Sequence, residues 1–281
     1  MRTHGLTIAA VFLAASTIFA QSPGAPPTKD TPATPTSAPK PMTEKNQKYL
    51  DAYLKVWEER VSGITGLETK VILTETAEGQ KTVLTGDAAI MKPNLARMFL
   101  KEQTDPSNAK KWRHIVADGK YLWEYQYQTK VARVLQLPKE GIGDSPAMAL
   151  LFGMKAADAK KRFDFSIDVD DDARHNENYL HITIYPKLKE DAQEFKKAEL
   201  VLWKNAKEQK WADVWMLPAR LWFQHPNGEQ VTWDFRNMVT KKSFPKDEFK
   251  APGFPDKEWR SEWVKPPAPT VTRTSGPGKD R

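Results

Sequence analysis

The fold of this 281-residue chain is decided by residues 115–125, whose sequence is IVADGKYLWEY. Apolar side chains alternate on both sides of Asp118-Gly119, and an Asp-Gly pair supplies the positive φ angles that a tight β-hairpin needs. An earlier stretch, residues 86–95, reads GDAAIMKPNL. It is extended, because the residue before a proline is pushed out of helical geometry. Together the two stretches predict an antiparallel sheet.

The flanking sequence extends this pattern in both directions. A helix-face spacing of apolar residues predicts an amphipathic helix over residues 43–61, formed by Leu50, Tyr53, Leu54, Trp57 and Val61. Alternating runs predict strands over 69–74, 81–91, 97–102, 112–117, 121–127, 131–137, 163–169, 180–185 and 231–235. A short helix is predicted from Asp144 or Ser145 to Phe152. The expected fold is α+β, with roughly nine to eleven strands in a large twisted antiparallel sheet and the helices on one face.

Aromatic residues are unusually frequent and are spread over the predicted strands. The chain has ten Trp, seven Tyr and twelve Phe. Tyr121, Trp123, Tyr125 and Tyr127 occupy every second position and therefore share one face of their strand. Core packing accounts for most of this content, and the amphipathic tips of Trp and Tyr suit a surface that also contacts a ligand or partner.

The N-terminus has the layout of a secretory signal peptide. Arg2 and His4 precede an apolar run over residues 6–19, which ends at the small residue Ala20. The run is shorter than the roughly 18 to 20 residues that span a bilayer, and no later stretch comes close, so we expect a soluble mature protein. Cleavage near Ala20 and location in the periplasm or cell envelope are therefore predicted.

Composition divides the rest of the chain into a linker, one folded domain and a tail. Residues 21–41 are rich in Pro, Thr and Ala and predict a disordered linker, and residues 263–281 a disordered tail. A single domain is expected over residues 42–262. The chain has no cysteine, which excludes disulfides, an N-terminal lipid anchor on cysteine and thiolate chemistry. Its net charge of +7 is dispersed among acidic residues, which is typical of a solvated surface. As partners, anionic lipid or cell-wall surfaces are favoured over nucleic acid.

No pattern of an enzyme or of a cofactor site is present in the sequence. Nucleophile elbows, zinc-binding His motifs, phosphate-binding glycine loops and dinucleotide fingerprints are all missing. An acidic run over residues 168–172 begins like a calcium loop, but Ala173 and Tyr179 replace the required glycine and glutamate. We therefore expect a protein that is not an enzyme and uses no metal or cofactor.

The two opening stretches also carry a family resemblance. Their order resembles the outer-membrane lipoprotein carrier (LolA/LolB-like) superfamily, which has a Gly-Asp…Arg/Lys-Pro-Asn-Leu segment followed by a Val-x-Asp-Gly-Lys-x-Leu-Trp-x-Tyr hairpin. Residues 145–148 (SPAM) are similar to the family's lid element, and residues 249–253 (FKAPG) to its closing segment. The likeness spans about residues 46–259 and is nearest to planctomycete-type secreted members. It implies an incomplete antiparallel β-barrel whose concave face is lidded by helices.

The resemblance also implies the site residues. Lys92 stands where carriers usually have an arginine that bonds to the lid backbone, and lysine lacks the planar fork of that group. Met98 falls where a cavity-lining aromatic is common, and Met148 and Leu151 fall on the lid. With Trp123, these residues form the predicted lipid cavity and its lid.

The function implied is carriage of an apolar ligand. We expect the protein to bind the acyl chains of a lipoprotein, or a similar lipid, as a monomer that exchanges cargo with a membrane-bound donor or acceptor. The alternative is a non-catalytic module with a filled interior that senses envelope stress or binds protein or cell wall. An envelope hydrolase would need a buried carboxylate or histidine pair at a cleft. A concave face filled by Trp and Phe side chains under the first helix would favour the second over the first, because it would leave no room for acyl chains.

Overall fold

The computed structural model describes residues 41–137, 155–167, 178–205 and 213–264. Its helices are α1 (Glu44–Ser62), α2 (Ala156–Arg162) and α3 (Lys189–Glu194), with a 3-10 turn at Ala109–Lys111. The strands are β1 (Gly66–Ala77), β2 (Gln80–Met91), β3 (Leu95–Glu102), β4 (Arg113–Asp118), β5 (Tyr121–Gln126), β6 (Val131–Gln136), β7 (Phe163–Ser166), β8 (Tyr179–Pro186), β9 (Lys197–Trp203), β10 (Pro218–Gln224), β11 (Gln230–Lys241) and β12 (Arg260–Val264).

All of these strands belong to one sheet. The order is β12-β6-β5-β4-β3-β2-β1-β11-β10-β9-β8-β7, so two meanders meet where β1 pairs with β11. Neighbouring strands are antiparallel, apart from β12, which runs parallel to β6. The predicted α+β class is confirmed. Within the described residues the sheet has twelve strands, more than the sequence predicted, because β9, β10 and β12 were missed.

Helix α1 covers one face of this sheet. Its first turn is capped by Thr43, whose hydroxyl accepts a hydrogen bond from the Asn46 backbone N–H at 3.2 Å. Four residues of the predicted stripe are at most 3% exposed and pack into the main hydrophobic core, namely Leu50, Leu54, Trp57 and Val61. The fifth, Tyr53, is partly buried against the same core. Burying each such side chain contributes about 1.5–3 kcal/mol, so packing against the sheet stabilises the helix more than its own propensity does.

The sheet curls toward the face that carries α1. Arg113 Nη2 on β4 lies 3.0 Å from Glu75 Oε2 on β1, although β3 and β2 lie between those strands. In a flat sheet, β4 and β1 would be about 14 Å apart. We call the α1 side the concave face and the other side the convex face. The large, open, curved sheet with α1 on its concave face is the incomplete barrel that the family resemblance implied.

The convex face has a second, smaller core. It consists of Val116, Tyr125, Ala132 and Trp259, with Trp123 and Tyr127 packed against them. The predicted alternation of β5 is confirmed, since Leu122 belongs to the concave core while the aromatics lie on the convex face.

Some predicted segments fall outside the described residues. These are the signal peptide, the linker up to residue 40 and the short helix over residues 144–152. Within the described ranges, no helix combines the length and the apolar character needed to cross a membrane.

Candidate ligand site on the concave face

A cavity of about 510 Å³ opens on the concave side, at the end of the sheet where β1 turns into β2. Its walls come from the ends of β1, β2, β3, β4 and β11. The volume lies within the roughly 300–1,000 Å³ that is usual for small-molecule pockets.

The floor of this cavity continues the hydrophobic core. Leu84 and Val231 line it, and both are only 2% exposed. Leu84 pairs across the sheet with Leu73, which is also buried in the main core. The cavity therefore has an apolar base that an alkyl group could cover.

The rim of the same cavity is charged. Arg113 Nη2 donates to both carboxylate oxygens of Glu75, at 3.0 and 3.1 Å, and both side chains are less than a fifth exposed. Lys111 Nζ lies 3.2 Å from Glu102, whose carboxylate also accepts hydrogen bonds from the Thr104 hydroxyl and the Asp105 N–H. A ligand that fits this site combines an apolar part with a polar end.

A further carboxylate lies on the concave face beside the rim. Glu124 on β5 is 7% exposed, and its carboxylate lies 3.6 Å from Arg133. Burial raises the pKa of Glu124, while the nearby charges of Arg133 and Arg113 act in the opposite direction. The concave face is thus apolar beneath α1 and ionic beyond the helix.

Under α1, side chains occupy the concave face. Leu54 and Trp57 are fully buried, and the strand residues Leu73 and Leu100 are buried in the same core. The indole N–H of Trp57 is buried without a hydrogen-bond partner among the described residues. A donor left unpaired in an apolar core costs about 1–3 kcal/mol, so Trp57 is a point where a polar ligand atom would be stabilised.

Met98, which the family resemblance implied as a cavity-lining residue, is buried in the main core. It is 3% exposed on the concave face of β3 and belongs to the same core as α1. It therefore packs in the core and does not line the open cavity. The other predicted lid residues, Met148 and Leu151, lie outside the described residues.

Lys92 contacts the covering helix directly. Its Nζ donates a hydrogen bond of 2.7 Å to the Val61 carbonyl oxygen at the carboxyl end of α1. A cation is favoured there because the last carbonyl groups of a helix carry partial negative charge. Burial lowers the pKa of Lys92. The residue therefore ties the helix to the end of β2. The lid segment, which the family resemblance implied as its partner, lies outside the described residues.

Trp123 is not brought to the concave side. It lies on the convex face, where its indole N–H donates to Asp118 Oδ2 at 2.9 Å and its ring packs near Trp263. The two-residue period that places Leu122 in the concave core necessarily turns Trp123 away from Met98. Among the described residues, the structure thus places Trp123 and Met98 on opposite faces of the sheet.

The charged rim was not predicted, although the sequence carries its signal. Glu75 lies on the same face of β1 as the buried Val71 and Leu73. Glu102 likewise lies on the same face of β3 as Met98 and Leu100. A charge in phase with an apolar alternation lies on the core-facing side of its strand. The alternation of inward-facing and outward-facing residues, followed to the last residue of each strand, therefore indicates a polar rim.

The family model described as "Outer membrane lipoprotein carrier protein LolA" matches residues 73–252. The chain belongs to the LolA family. The matched range includes the Leu84 floor, the Arg113–Glu75 rim and Lys92, and it begins after α1. The cavity walls thus lie in the part of the chain that defines LolA membership.

Solved structures are similar to this LolA-family chain at low sequence identity. An uncharacterized conserved protein from Thermus thermophilus shares 13% identity, covers 77% of this chain and 99% of its own, and has a TM-score of 0.44. A putative outer membrane lipoprotein-sorting protein domain from Vibrio parahaemolyticus shares 10% over 71% and 95%, with a TM-score of 0.38. A LolA superfamily protein from Nitrosomonas europaea shares 11% over 70% and 97%, with a TM-score of 0.35. The comparison with curated proteins finds no match.

Proposed function

We propose that this LolA-family protein is a non-catalytic carrier of the cell envelope that binds the acyl chains of a lipoprotein, or a similar lipid, in its concave cavity. The observation that carries the proposal is the cavity of about 510 Å³, with Leu84 and Val231 at its base and an ionic rim. Family membership supports the same class of function.

The apolar base supplies the driving force. An alkyl chain gains roughly 0.8 kcal/mol for each methylene removed from water, so ten buried methylenes contribute about 8 kcal/mol before the costs of ordering. A net gain of that size would correspond to roughly micromolar affinity, and the costs of association and ordering weaken it. Release to a membrane-bound acceptor then requires a better apolar site, with no covalent step.

The rim suits the polar end of the same ligand. Arg113 and Glu75 present both signs of charge at the mouth of the cavity, close to the solvent. A zwitterionic or amide-bearing head can bond to either partner, which would fix the chain with its tail toward Leu84. The proposed ligand is therefore an amphiphile and not a hydrocarbon alone.

Deeper entry of a chain requires α1 to move. The helix buries Leu54 and Trp57 over the space that a longer chain would use, and Lys92 bonds to its carboxyl end. We propose Met98 as part of the deeper wall, together with Met148 and Leu151 from the predicted lid. The hydrogen bond from Lys92 to the Val61 carbonyl oxygen then determines how readily α1 moves away from the sheet.

The test is titration of the full chain with cis-parinaric acid, a fluorescent fatty acid. Thr82 is exposed and lines the cavity, so Thr82→Trp fills the mouth without disturbing the core. The matched control is Thr85→Trp, which lies on the opposite face of the same strand. We expect affinity to fall by at least about tenfold in the first variant and to stay unchanged in the second. Failure of the native chain to bind the probe would refute the proposal.

A second candidate is an envelope module that binds protein or cell wall through its surface. The favouring observation is the packing under α1, where Leu50, Leu54, Trp57 and Val61 are all buried. In that case the native chain would take up no fatty acid, and filling the cavity at Thr82 would leave partner binding intact. The same titration therefore separates the two candidates.

A further inference from the structure

The C-terminal part of the described chain lies along an end of the sheet. Strand β12 pairs in parallel with β6, with Arg260 opposite Val131 and Val264 opposite Leu135. In the described sheet it is the end strand beside β6. Main-chain hydrogen bonds from a short added strand are the means by which sheet edges recognise extended peptides.

Aromatic side chains anchor this segment on the convex face. The Trp259 ring is 8% exposed and lies 5.1 Å from Tyr127 and 5.9 Å from Tyr125, between ring centroids. The Trp263 ring lies 5.1 Å from Tyr121 and remains 58% exposed. The sheet thus offers two aromatic sockets, the first formed by Tyr125 and Tyr127 and the second by Tyr121 and Trp123.

Charged groups hold the segment from the side. Lys130 Nζ bonds to Glu258 and lies 3.2 Å from Asp256, and the Lys130 carbonyl oxygen accepts from the Arg260 N–H at 3.1 Å. Upstream, the Tyr125 hydroxyl donates to the Pro252 carbonyl oxygen at 2.6 Å. The segment that fits this edge therefore forms an acidic turn before its first aromatic anchor and is extended after it.

Removal of the segment would leave the main core intact. The buried residues of the concave core end at Met238, so β12 and the Trp259 anchor contribute none of them. Residues 260–263 are exposed, and parallel pairing is somewhat weaker than antiparallel pairing. Detachment would uncover Val116, Tyr125 and Ala132 together with the backbone groups of β6.

We propose that the edge of β6, with its two aromatic sockets, is a docking site for an extended partner peptide, and that β12 fills it reversibly in the free protein. The partner carries acidic residues followed by two aromatic residues four positions apart, which is the chemistry of residues 256–263. Its binding adds a parallel strand in place of β12. The site lies on the face opposite to the lipid cavity and does not depend on the proposed cargo.

The probe is a fluorescein-labelled peptide with the sequence of residues 254–264, FPDKEWRSEWV. Its binding to the full chain is measured by fluorescence anisotropy. In Trp263→Ala the chain's own strand is weakened, so the edge is free more often and the apparent affinity for the peptide rises. We expect an increase of about tenfold over the native chain. Glu258→Lys, which breaks the contact with Lys130, should act in the same direction.

The controls distinguish specific binding of the peptide at the β6 edge from nonspecific binding. Tyr49→Ala removes another exposed aromatic, 44% exposed on α1, and should leave peptide affinity at the native value. A peptide carrying Trp259→Ser and Trp263→Ser should not bind. Equal affinity for the native chain and Trp263→Ala, or no binding to either variant, would overturn the proposal. Dimer formation by Trp263→Ala without peptide would assign the edge to a second copy and would overturn it as well.

Discussion

The bond between Lys92 and α1 leads to the most informative stability prediction. Replacement by methionine in Lys92→Met keeps most of the aliphatic length and removes the ammonium group that donates to the Val61 carbonyl oxygen at 2.7 Å. A hydrogen bond from a charged donor contributes about 1.5–3 kcal/mol, and a cation at a helix carboxyl end about 0.3–1 kcal/mol. Burial, which lowers the pKa of Lys92, shows that desolvation offsets part of this gain.

The net expectation is a loss of about 1–2 kcal/mol in the free energy of unfolding. For a domain of this size, that loss lowers the melting temperature by about 2–8 °C. Urea denaturation followed by tryptophan fluorescence measures the loss, because Trp57 lies in the helix that Lys92 holds. Lys92→Arg should retain most of the stability, since a guanidinium can also donate to the carbonyl group.

The matched control is Lys70→Met on the neighbouring strand β1. Lys70 pairs with Asp87, but the two side chains are 59% and 40% exposed. An exposed ion pair contributes at most about 1 kcal/mol and often nothing measurable. If Lys92→Met costs no more than Lys70→Met, the bond does not hold α1 and the reasoning is refuted.

Further predictions concern the core, a close backbone approach and acid sensitivity. Leu54→Ala should cost about 2–5 kcal/mol in urea denaturation, because Leu54 is fully buried between α1 and the sheet, and a loss under about 1 kcal/mol would contradict that packing. Gly86→Ala should lower the melting temperature in calorimetry, since an added Cβ would lie 1.9 Å from the Phe99 carbonyl oxygen, and a variant as stable as the native chain would speak against the β2–β3 pairing. Burial, followed by the charge of Arg97, lowers the pKa of His114 to about 4 from 6.5. Stability from neutral His114 is therefore present above pH 6.5 and lost as the pH falls toward 4, by up to about 3 kcal/mol at about 1.36 kcal/mol per pKa unit. In His114→Phe, the urea midpoint should change less between pH 6.5 and pH 4 than it does in the native chain. If the pH dependence of the midpoint is unchanged, other groups cause the loss of stability at low pH.

Local patterns predicted the first half of the fold well. The helix stripe from Leu50 to Val61 and the Asp118-Gly119 hairpin both appear where the sequence placed them. Each signal is carried by neighbouring residues, since a helix face or a tight turn needs no distant partner. The parallel strand β12 was missed because its exposed residues do not alternate and its partner, β6, lies far earlier in the chain.

The candidate site was harder to predict than the fold. Lys92 was chosen by resemblance, and its hydrogen bond to the carboxyl end of α1 is a contact that only the tertiary structure defines. Trp123 drew attention as an aromatic, but strand phase places it on the convex face. The Arg113–Glu75 pair joins strands that are not neighbours in the sheet, so no local pattern could have paired them.

Native mass spectrometry tests the central claim most directly. The full chain is produced with its N-terminal segment, recovered from the cell envelope without detergent and weighed under non-denaturing conditions. The account predicts a population heavier than the polypeptide by the mass of an acylated molecule, which is lost on mild activation and is much reduced in Thr82→Trp but not in Thr85→Trp. Repeated recovery of ligand-free protein, with no uptake of added acylated peptide, would contradict it.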